Sequence, residues 1–290
     1  MQKTSFRKYA LFIFFPVLVA AAFVYFVASN DIAQYFENET RLANVSIDTT
    51  DSLIQQHVEV SRKKLKIFAE KFEHKIQYLV AHPEDRGFRD DFDSLIEKHF
   101  PSAVTYTLAD SEGELLLSNL EGLVGIGCQD NIRLFAIDNT KSDAQLRMHH
   151  NDVIPHFDIM HEMHASDGRI VVFFITFSPE ILVSYLANAQ PSGHQLMIIK
   201  KDSDFSIELT EHGSKKQIVR EPVLTLSEQD RILAKNNIPG TLWQLIDIIN
   251  ENTVNNAVYT IKRNFGFIFM AIAFGIILVV IGIMRSEKLR

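Results

Sequence analysis

Two long stretches without a charged side chain, at residues 9–28 and 265–284, constrain this chain more than any other feature. At about 1.5 Å per residue, a helix of about 20 residues crosses the roughly 30 Å hydrocarbon core of a bilayer. A helix is required there because lipid offers the backbone no hydrogen-bond partner. The first stretch is longer than the apolar part of a signal peptide, which favours an anchor that is not cleaved. The sequence therefore predicts two membrane spans.

The short segments outside these stretches are basic. Residues 1–8 and 285–290 each contain three Lys or Arg, and the positive-inside rule assigns such segments to the cytoplasm. Lys262 and Arg263 oppose this assignment weakly. The expected domains are a cytoplasmic tail at 1–8, a transmembrane helix at 9–28, an extracytoplasmic domain at 29–264, a second transmembrane helix at 265–284 and a second cytoplasmic tail at 285–290.

The composition of residues 29–264 limits the partners of this domain. The segment has 23 Lys and Arg against 35 Asp and Glu, a net charge of −12. Such an acidic domain disfavours binding to nucleic acid. Cys128 is the only cysteine, which excludes an internal disulfide and a cysteine-rich metal cluster. We expect Cys128 to be buried, because an unreacted cysteine behaves as a small hydrophobe.

A long helix is predicted at residues 31–80, which contain neither Gly nor Pro. Apolar or small side chains recur there at steps of three and four, the period of one helical face. The stripe consists of Ile54, Val58, Ser61, Leu65, Phe68, Phe72, Ile76 and Leu79. Pro83 ends the helix, because a proline disfavours helical geometry in the residue before it. The stripe either packs on its own domain or is shared with a second chain in a coiled coil, which would give a homodimer.

Strands alternate with short helices in the sheet region at 100–250. Predicted hairpins pair 103–109 with 114–118, 155–165 with 169–177, and 194–200 with 205–211, and 241–249 is a last strand containing Trp243 in the core. Helices are predicted at 88–100, 178–189, 227–235 and 250–264, a helical turn at 131–137 and an exposed loop at 138–152. Hairpin connections favour antiparallel pairing. The fold class is therefore α+β, with a long N-terminal helix packed on an antiparallel sheet.

Five stretches carry a resemblance to a known family. They are residues 156–160, 173–179, 193–197, 207–213 and 239–243. Residues 100–250 resemble the periplasmic sensor region of membrane-bound bacterial diguanylate cyclases. The resemblance implies a PAS-like (Cache) domain, a bacterial inner-membrane location with the central domain in the periplasm, and a role in c-di-GMP signalling. The chain has no GGDEF-type loop, so cyclase activity is not carried over, and no cofactor is expected.

The histidines between 149 and 164 are the strongest candidates for chemistry. On a strand His156, Asp158 and His164 share one face, but residues eight apart on a strand are about 26 Å apart. No metal site is therefore predicted, and we expect a half-exposed strand with its polar side chains outward. A ligand pocket is expected to use His156 and Asp158 together with Tyr106, Arg133 and Phe173. Arg133 is a candidate for bidentate binding of a carboxylate.

The sequence favours a sensor over an enzyme. It lacks a nucleophile elbow and a phosphate-binding loop with a lysine, so no catalytic residue is predicted. The leading hypothesis is a membrane-anchored sensor that binds a small molecule or partner and signals across the inner membrane to a separate cyclase or kinase. The alternatives are an envelope scaffold without ligand sensing and an N-terminal fragment of a longer diguanylate cyclase receptor.

Overall fold

A computed structural model describes residues 3–117, 126–137, 146–150, 155–201, 203–215 and 217–288. The chain divides into two compact units. One combines Met1–Leu42 with Ile249–Arg290, and the other is Ala43–Ile248. The described residues of the first unit are mainly helical, and the second unit contains the strands described below except Ile249, the last residue of β9.

Two helices contain stretches that are long and apolar enough to cross a membrane. Helix α1 runs over Lys3–Lys71, so the predicted helix at 31–80 is continuous with the first apolar stretch. Helix α7 runs over Glu251–Lys288. The mean hydropathy of their most apolar segments is 2.0 and 3.0. The predicted bounds of the spans, 9–28 and 265–284, fall inside these helices and stay a prediction.

The apolar stripe of the long helix is buried within the second unit. Ile54 and Leu65 have no exposed surface, and Val58 and Phe68 are 3% exposed. The helix breaks at Phe72, where φ is −110° and ψ is 22°, and resumes as α2, Glu73–Ala81, before Pro83. The prediction that the stripe packs on its own domain is confirmed. The alternative that the stripe is shared with a second chain in a coiled coil stays untested.

A four-stranded antiparallel sheet lies against α1. Its order is β1 (Ala103–Asp110), β4 (Ile170–Phe177), β3 (Pro155–His164) and β2 (Met148–His150). The hairpin of β3 and β4 is confirmed, and β4 is central as its apolar sequence predicts. Phe173 and Ile175 face the core shared with α1, whereas Val172 and Phe174 face α4 (Ile126–Ile137). Both faces of this sheet are therefore covered by helix.

The sheet region contains a second sheet, whereas the sequence predicted one. Its order is β7 (Gly213–Ser214), β6 (Ile207–Thr210), β5 (His194–Lys200), β9 (Trp243–Ile249) and β8 (Ile232–Asn237). Helix α5 (Glu180–Ala189) packs on it. Trp243 is buried and its ring meets Phe157 of β3 edge-on at 5.8 Å. One hydrophobic core thus joins α1, α5 and both sheets.

Two local predictions are wrong. The helix predicted at 227–235 is only α6, Leu226–Gln229, which is capped by Thr225 in a capping box with Glu228. The rest of that segment forms edge strand β8, since pairing with β9 outweighs its helical propensity. The predicted loop 138–152 contains β2, although 138–145 and 151–154 lie outside the described residues.

The first predicted hairpin is formed over the described residues, but its second arm is short. Gly113 adopts the positive φ of 85° that its turn requires, and Asp110 accepts two backbone N–H bonds inside that turn. The segment 114–117 returns antiparallel along β1, with a bridge between Leu115 and Ala109 and backbone hydrogen bonds from Asp110 N to Glu114 O at 3.0 Å and from Leu116 N to Leu108 O at 2.8 Å. Residue 118 lies outside the described residues. Strand β1 pairs with β4 as well. Helix α3, Arg86–His99, is confirmed and capped by Asp85.

We expect a substitution on the buried face of α1 to lower the free energy of unfolding more than a substitution on its exposed face. Leu65→Ala leaves a cavity in the shared core and should cost about 2–5 kcal/mol. Ile67 lies two residues away and is 52% exposed, so Ile67→Ala should cost less than about 1 kcal/mol. Denaturant unfolding of the full chain in detergent, followed by the fluorescence of Trp243, measures both. Equal losses in the two variants would contradict the packing described here.

Candidate functional site

The polar face of β3 is buried rather than outward. His156 is 1% exposed and Asp158 is 4% exposed, so the prediction of a half-exposed strand is wrong for these residues. Their neighbours Phe157 and Ile159 point to the opposite face and into the shared core, as the strand period predicts. The cause of the burial is α4, which lies over the face that the sequence left open.

Four ligand-type side chains meet between α4, β2 and β3. They are Cys128 of α4, His149 of β2, and His156 and Asp158 of β3, all buried. Their ligand atoms all lie within 4.8 Å of one another. We call these residues the buried cluster. Thiol, imidazole and carboxylate are ligands of Zn²⁺ and similar ions, so the cluster could hold such an ion.

Strand pairing brings the members of the buried cluster together. His149 stands directly opposite His156 in the antiparallel register of β2 and β3, and their rings stack with centroids 5.3 Å apart. Asp158 follows His156 on the same face. Cys128 Sγ lies 3.8 Å from His156 Nε2, and His149 Nε2 lies 3.4 Å from Asp158 Oδ2.

The two oxygens of Asp158 have different surroundings. Thr176, its partner across the β3–β4 ladder, donates a hydrogen bond of 2.7 Å from Oγ1 to Asp158 Oδ1. Asp158 Oδ2 and His149 Nε2 are buried without a hydrogen-bond partner among the described residues. Burial, the largest cause, lowers the pKa of His149 below its usual value, and the nearby Asp158 opposes that shift. His149 is therefore neutral at pH 7.

A cavity of about 350 Å³ opens beside the buried cluster. Strand β2 pairs only with residues 155–157 of β3, so in the described part of the chain the next four residues of β3 have no strand on that side. The cavity lies along this open edge, between α1 and α4. Its walls are Glu59, Arg62, Lys63 and Lys66 of α1, Phe135 of α4, Leu146, and Asp158, Ile159, Met160 and His161 of β3.

The α1 wall of the cavity is mainly cationic. Arg62, Lys63 and Lys66 lie there beside one acidic residue of the same helix, Glu59, and Asp158 lies on the β3 wall. Lys66 Nζ is also 3.9 Å from Glu70 Oε1. Arg62 also donates to the backbone carbonyl of Gly240 at 3.2 Å, which holds its side chain in place.

His161 adds a titratable group to the β3 wall of the cavity. Burial, the largest cause, lowers the pKa of His161; Lys66 lowers it further, and Glu70 and Glu162 partly offset this. His161 is therefore neutral at pH 7, and the cavity suits a small anion with an apolar part.

The structure brings together two of the five predicted ligand contacts, His156 and Asp158. Phe173 is buried in the core on the opposite face, stacked on Phe68. Tyr106 packs edge-on against Phe173 and donates to Asp93 at 2.6 Å. Burial and that hydrogen bond raise the pKa of the Tyr106 hydroxyl.

Arg133, the fifth predicted contact, lies on the exposed side of α4, paired with Asp130 at 2.9 Å. Ligand contact by these five residues stays a prediction, and of the five only Asp158 is among the cavity walls described here.

Sequence reasoning missed Cys128 and His149 as members of one site. They come from different elements, and β2 is only three residues long, too short for a periodic signal. The basic wall was visible as Arg62, Lys63 and Lys66 on one helix. The sequence did not show that these side chains line a cavity, because a charged face is also the normal outer face of a helix.

No protein-family model matches this chain. No curated protein matches it either.

Several solved structures are similar in fold. The sensor domain of the Vibrio cholerae histidine kinase DctB has a TM-score of 0.48 at 10% identity and covers 76% of this chain and 99% of its own. The periplasmic domain of Vibrio cholerae LuxQ has a TM-score of 0.43 at 15% identity, and the match covers 70% of this chain and 100% of LuxQ's.

A third similar structure is the ligand-binding domain of the Pseudomonas fluorescens chemoreceptor CtaA, solved with L-leucine. Its TM-score is 0.42 at 12% identity, and the match covers 78% of this chain and 99% of CtaA's. These structures are sensor or ligand-binding domains, and nothing among them points to diguanylate cyclases. At these TM-scores the likeness carries no argument about this chain.

We expect His161 to destabilise the domain in mild acid. Its folded pKa lies below the unfolded value of about 6.5, so below that pH the unfolded state binds more protons and stability falls. The loss should be a fraction of the about 1.4 kcal/mol per pH unit that one group can supply, because the side chain is only partly buried. Melting temperatures between pH 7.5 and 5 measure it.

The matched variants are His161→Gln and His212→Gln, since the His212 side chain is 77% exposed. His161→Gln should flatten the decline between pH 6.5 and 5, and His212→Gln should not. If both variants decline like the unaltered chain, burial does not depress the pKa of His161.

Proposed function

We propose that the chain is a two-pass sensor of the bacterial inner membrane whose extracytoplasmic domain binds a small anionic molecule. The observation that carries this proposal is the cavity between the cationic side of α1 and the open edge of β3. Arg62, Lys63 and Lys66 supply charge for a carboxylate or phosphate. Phe135 and Leu146 supply apolar contact for the rest of the ligand.

Helix α1 supports a route for the signal. It is one helix from Lys3 to Lys71, and this helix contains both the first apolar stretch and the cationic wall of the cavity. Packed helices switch between discrete positions rather than deform continuously. A ligand that draws the cationic side of α1 toward β3 would bias such a switch and displace the membrane segment.

The output belongs on the cytoplasmic side. We propose a cyclase or kinase as the output, in a separate protein or in a longer version of the chain, and a homodimer as the signalling form. Helix α7 begins two residues after β9 ends, so a displacement of the second sheet also has a short covalent path to the second apolar stretch.

Ligand binding is tested with the full chain in detergent against a panel of small carboxylates, amino acids, phosphate and matched neutral amides. An anionic ligand should raise the melting temperature by mass action. Lys63→Gln combined with Lys66→Gln should weaken its binding about fivefold for each lost charge contact of about 1 kcal/mol. Isothermal titration measures the affinity.

Lys98→Gln is the control for that experiment, because Lys98 is an exposed lysine of α3 and is not among the cavity walls. It should bind as the unaltered chain does. Binding of no anion in the panel, or equal affinities in the cavity and control variants, would overturn the assignment of this cavity as the ligand site.

The predicted orientation has its own test. In cells, Lys98→Cys should react with a membrane-impermeant maleimide once the outer membrane is permeabilised, since residue 98 would lie in the periplasm. Ser286→Cys, near the C-terminal tail, should react only after lysis. The native Cys128 is buried and should stay unlabelled in the folded protein. The opposite pattern of labelling would show that the central domain is cytoplasmic.

A further inference from the structure

We propose that the buried cluster is a four-ligand site for a divalent transition-metal ion of the Zn²⁺ type. The ligand atoms are Cys128 Sγ, an imidazole nitrogen each from His149 and His156, and Asp158 Oδ2. The inference goes beyond the proposed sensing of an anion, and the two sites have only Asp158 in common.

The distances fit a tetrahedral ion. Zn²⁺ binds sulfur at about 2.3 Å and nitrogen or oxygen at about 2.0–2.2 Å, so neighbouring ligand atoms lie about 3.3–3.8 Å apart. Two contacts across the cluster already have these lengths, 3.8 Å between Cys128 Sγ and His156 Nε2 and 3.4 Å between His149 Nε2 and Asp158 Oδ2. The remaining pairs lie within 4.8 Å, so closing on an ion needs side-chain movements of about 1 Å.

The state of the polar atoms also points to a ligand. His149 Nε2 and Asp158 Oδ2 are buried and lie 3.4 Å apart, and neither atom makes a hydrogen bond among the described residues. A buried polar atom without a partner costs free energy that a bound ion would recover. Thr176 holds the other carboxylate oxygen, which is the usual arrangement by which an outer hydrogen bond aims a ligand at its metal.

The charges balance on binding. A Cys128 thiolate and an ionised Asp158 together carry −2, which neutralises a divalent ion between two neutral imidazoles. Binding therefore places no net charge in the protein interior and releases the thiol proton to solvent. All four positions of a tetrahedral ion are filled by protein, which is typical of structural rather than catalytic zinc sites. Such an ion would fasten α4 to β2 and β3.

Cobalt substitution tests this proposal with the full chain, purified in detergent without a polyhistidine tag and stripped by a chelator. One equivalent of Co²⁺ should give the visible bands of a tetrahedral site and a near-ultraviolet sulfur-to-cobalt charge-transfer band. Because Cys128 is the only cysteine, that band can arise only from this residue. Zn²⁺ should displace Co²⁺ at one equivalent per chain and raise the melting temperature.

The variants separate this site from others. Cys128→Ser should abolish the charge-transfer band, and His149→Gln should weaken binding more than about tenfold. His164→Gln, an exposed histidine of the same strand, should change neither. If the cluster variants do not fold, the band in the unaltered chain still decides, since no other sulfur ligand of this kind exists in the sequence.

The proposal is overturned if stripped protein binds no Co²⁺ or Zn²⁺ at micromolar concentration, or if Co²⁺ binds without the charge-transfer band. The anion site is judged separately. The Lys63→Gln and Lys66→Gln double variant should keep the cobalt spectrum while losing anion affinity, so failure of one assignment leaves the other intact.

Discussion

The structure depends on the contact between one face of α1 and both sheets of the second unit. Ile54 and Leu65 are fully buried there, and Phe68 stacks on Phe173 of β4. Burying an aliphatic side chain of this size contributes about 1.5–3 kcal/mol, so the stripe as a whole is a major stabilising term. The packing of this stripe against the sheets therefore determines the position of α1 in the second unit.

The two faces of the first sheet differ in the side chains that they carry. The face toward α1 is apolar and joins the shared core with Trp243 and Phe157. The face toward α4 combines apolar side chains at Val172 and Phe174 with the buried cluster. Polar groups are costly inside a protein unless they are paired or ligated, and this cost favours a bound ion at the buried cluster.

A contact between the two sheets ties this polar region to the rest of the second unit. His150 of β2 meets the carboxylate of Glu208 of β6, next to His149 of the buried cluster. This contact links β2 to the second sheet outside the apolar core. The first sheet is therefore connected to the rest of the second unit in two ways, by the His150–Glu208 contact and by its packing against α1.

The sequence predicted those elements whose patterns are long and periodic. The stripe of α1, the β3–β4 hairpin around Gly168 and strand β9 follow from periods of 3.6 and 2 and from turn residues. Strand β8 was missed because its pairing with β9 is a tertiary effect, although the Thr225 and Glu228 spacing of a capping box marked the true start of α6.

The site could be predicted only in part. His156 and Asp158 were found because both lie on one strand, and their shared face follows from strand geometry. Their burial, and their meeting with Cys128 and His149, depend on how α4 and β2 pack, which no local pattern encodes.

Hydrogen–deuterium exchange of the full chain in lipid nanodiscs tests the central claim most directly, that α1 and both sheets form one mechanical unit. If the claim is right, the amides of α1 between residues 47 and 71 exchange in the same slow class as those of β4 and β9, because opening the helix requires opening the shared core. If those helix amides exchange much faster than the strands, α1 is not held by the sheets. A signal could then not pass from the cavity to the membrane along it.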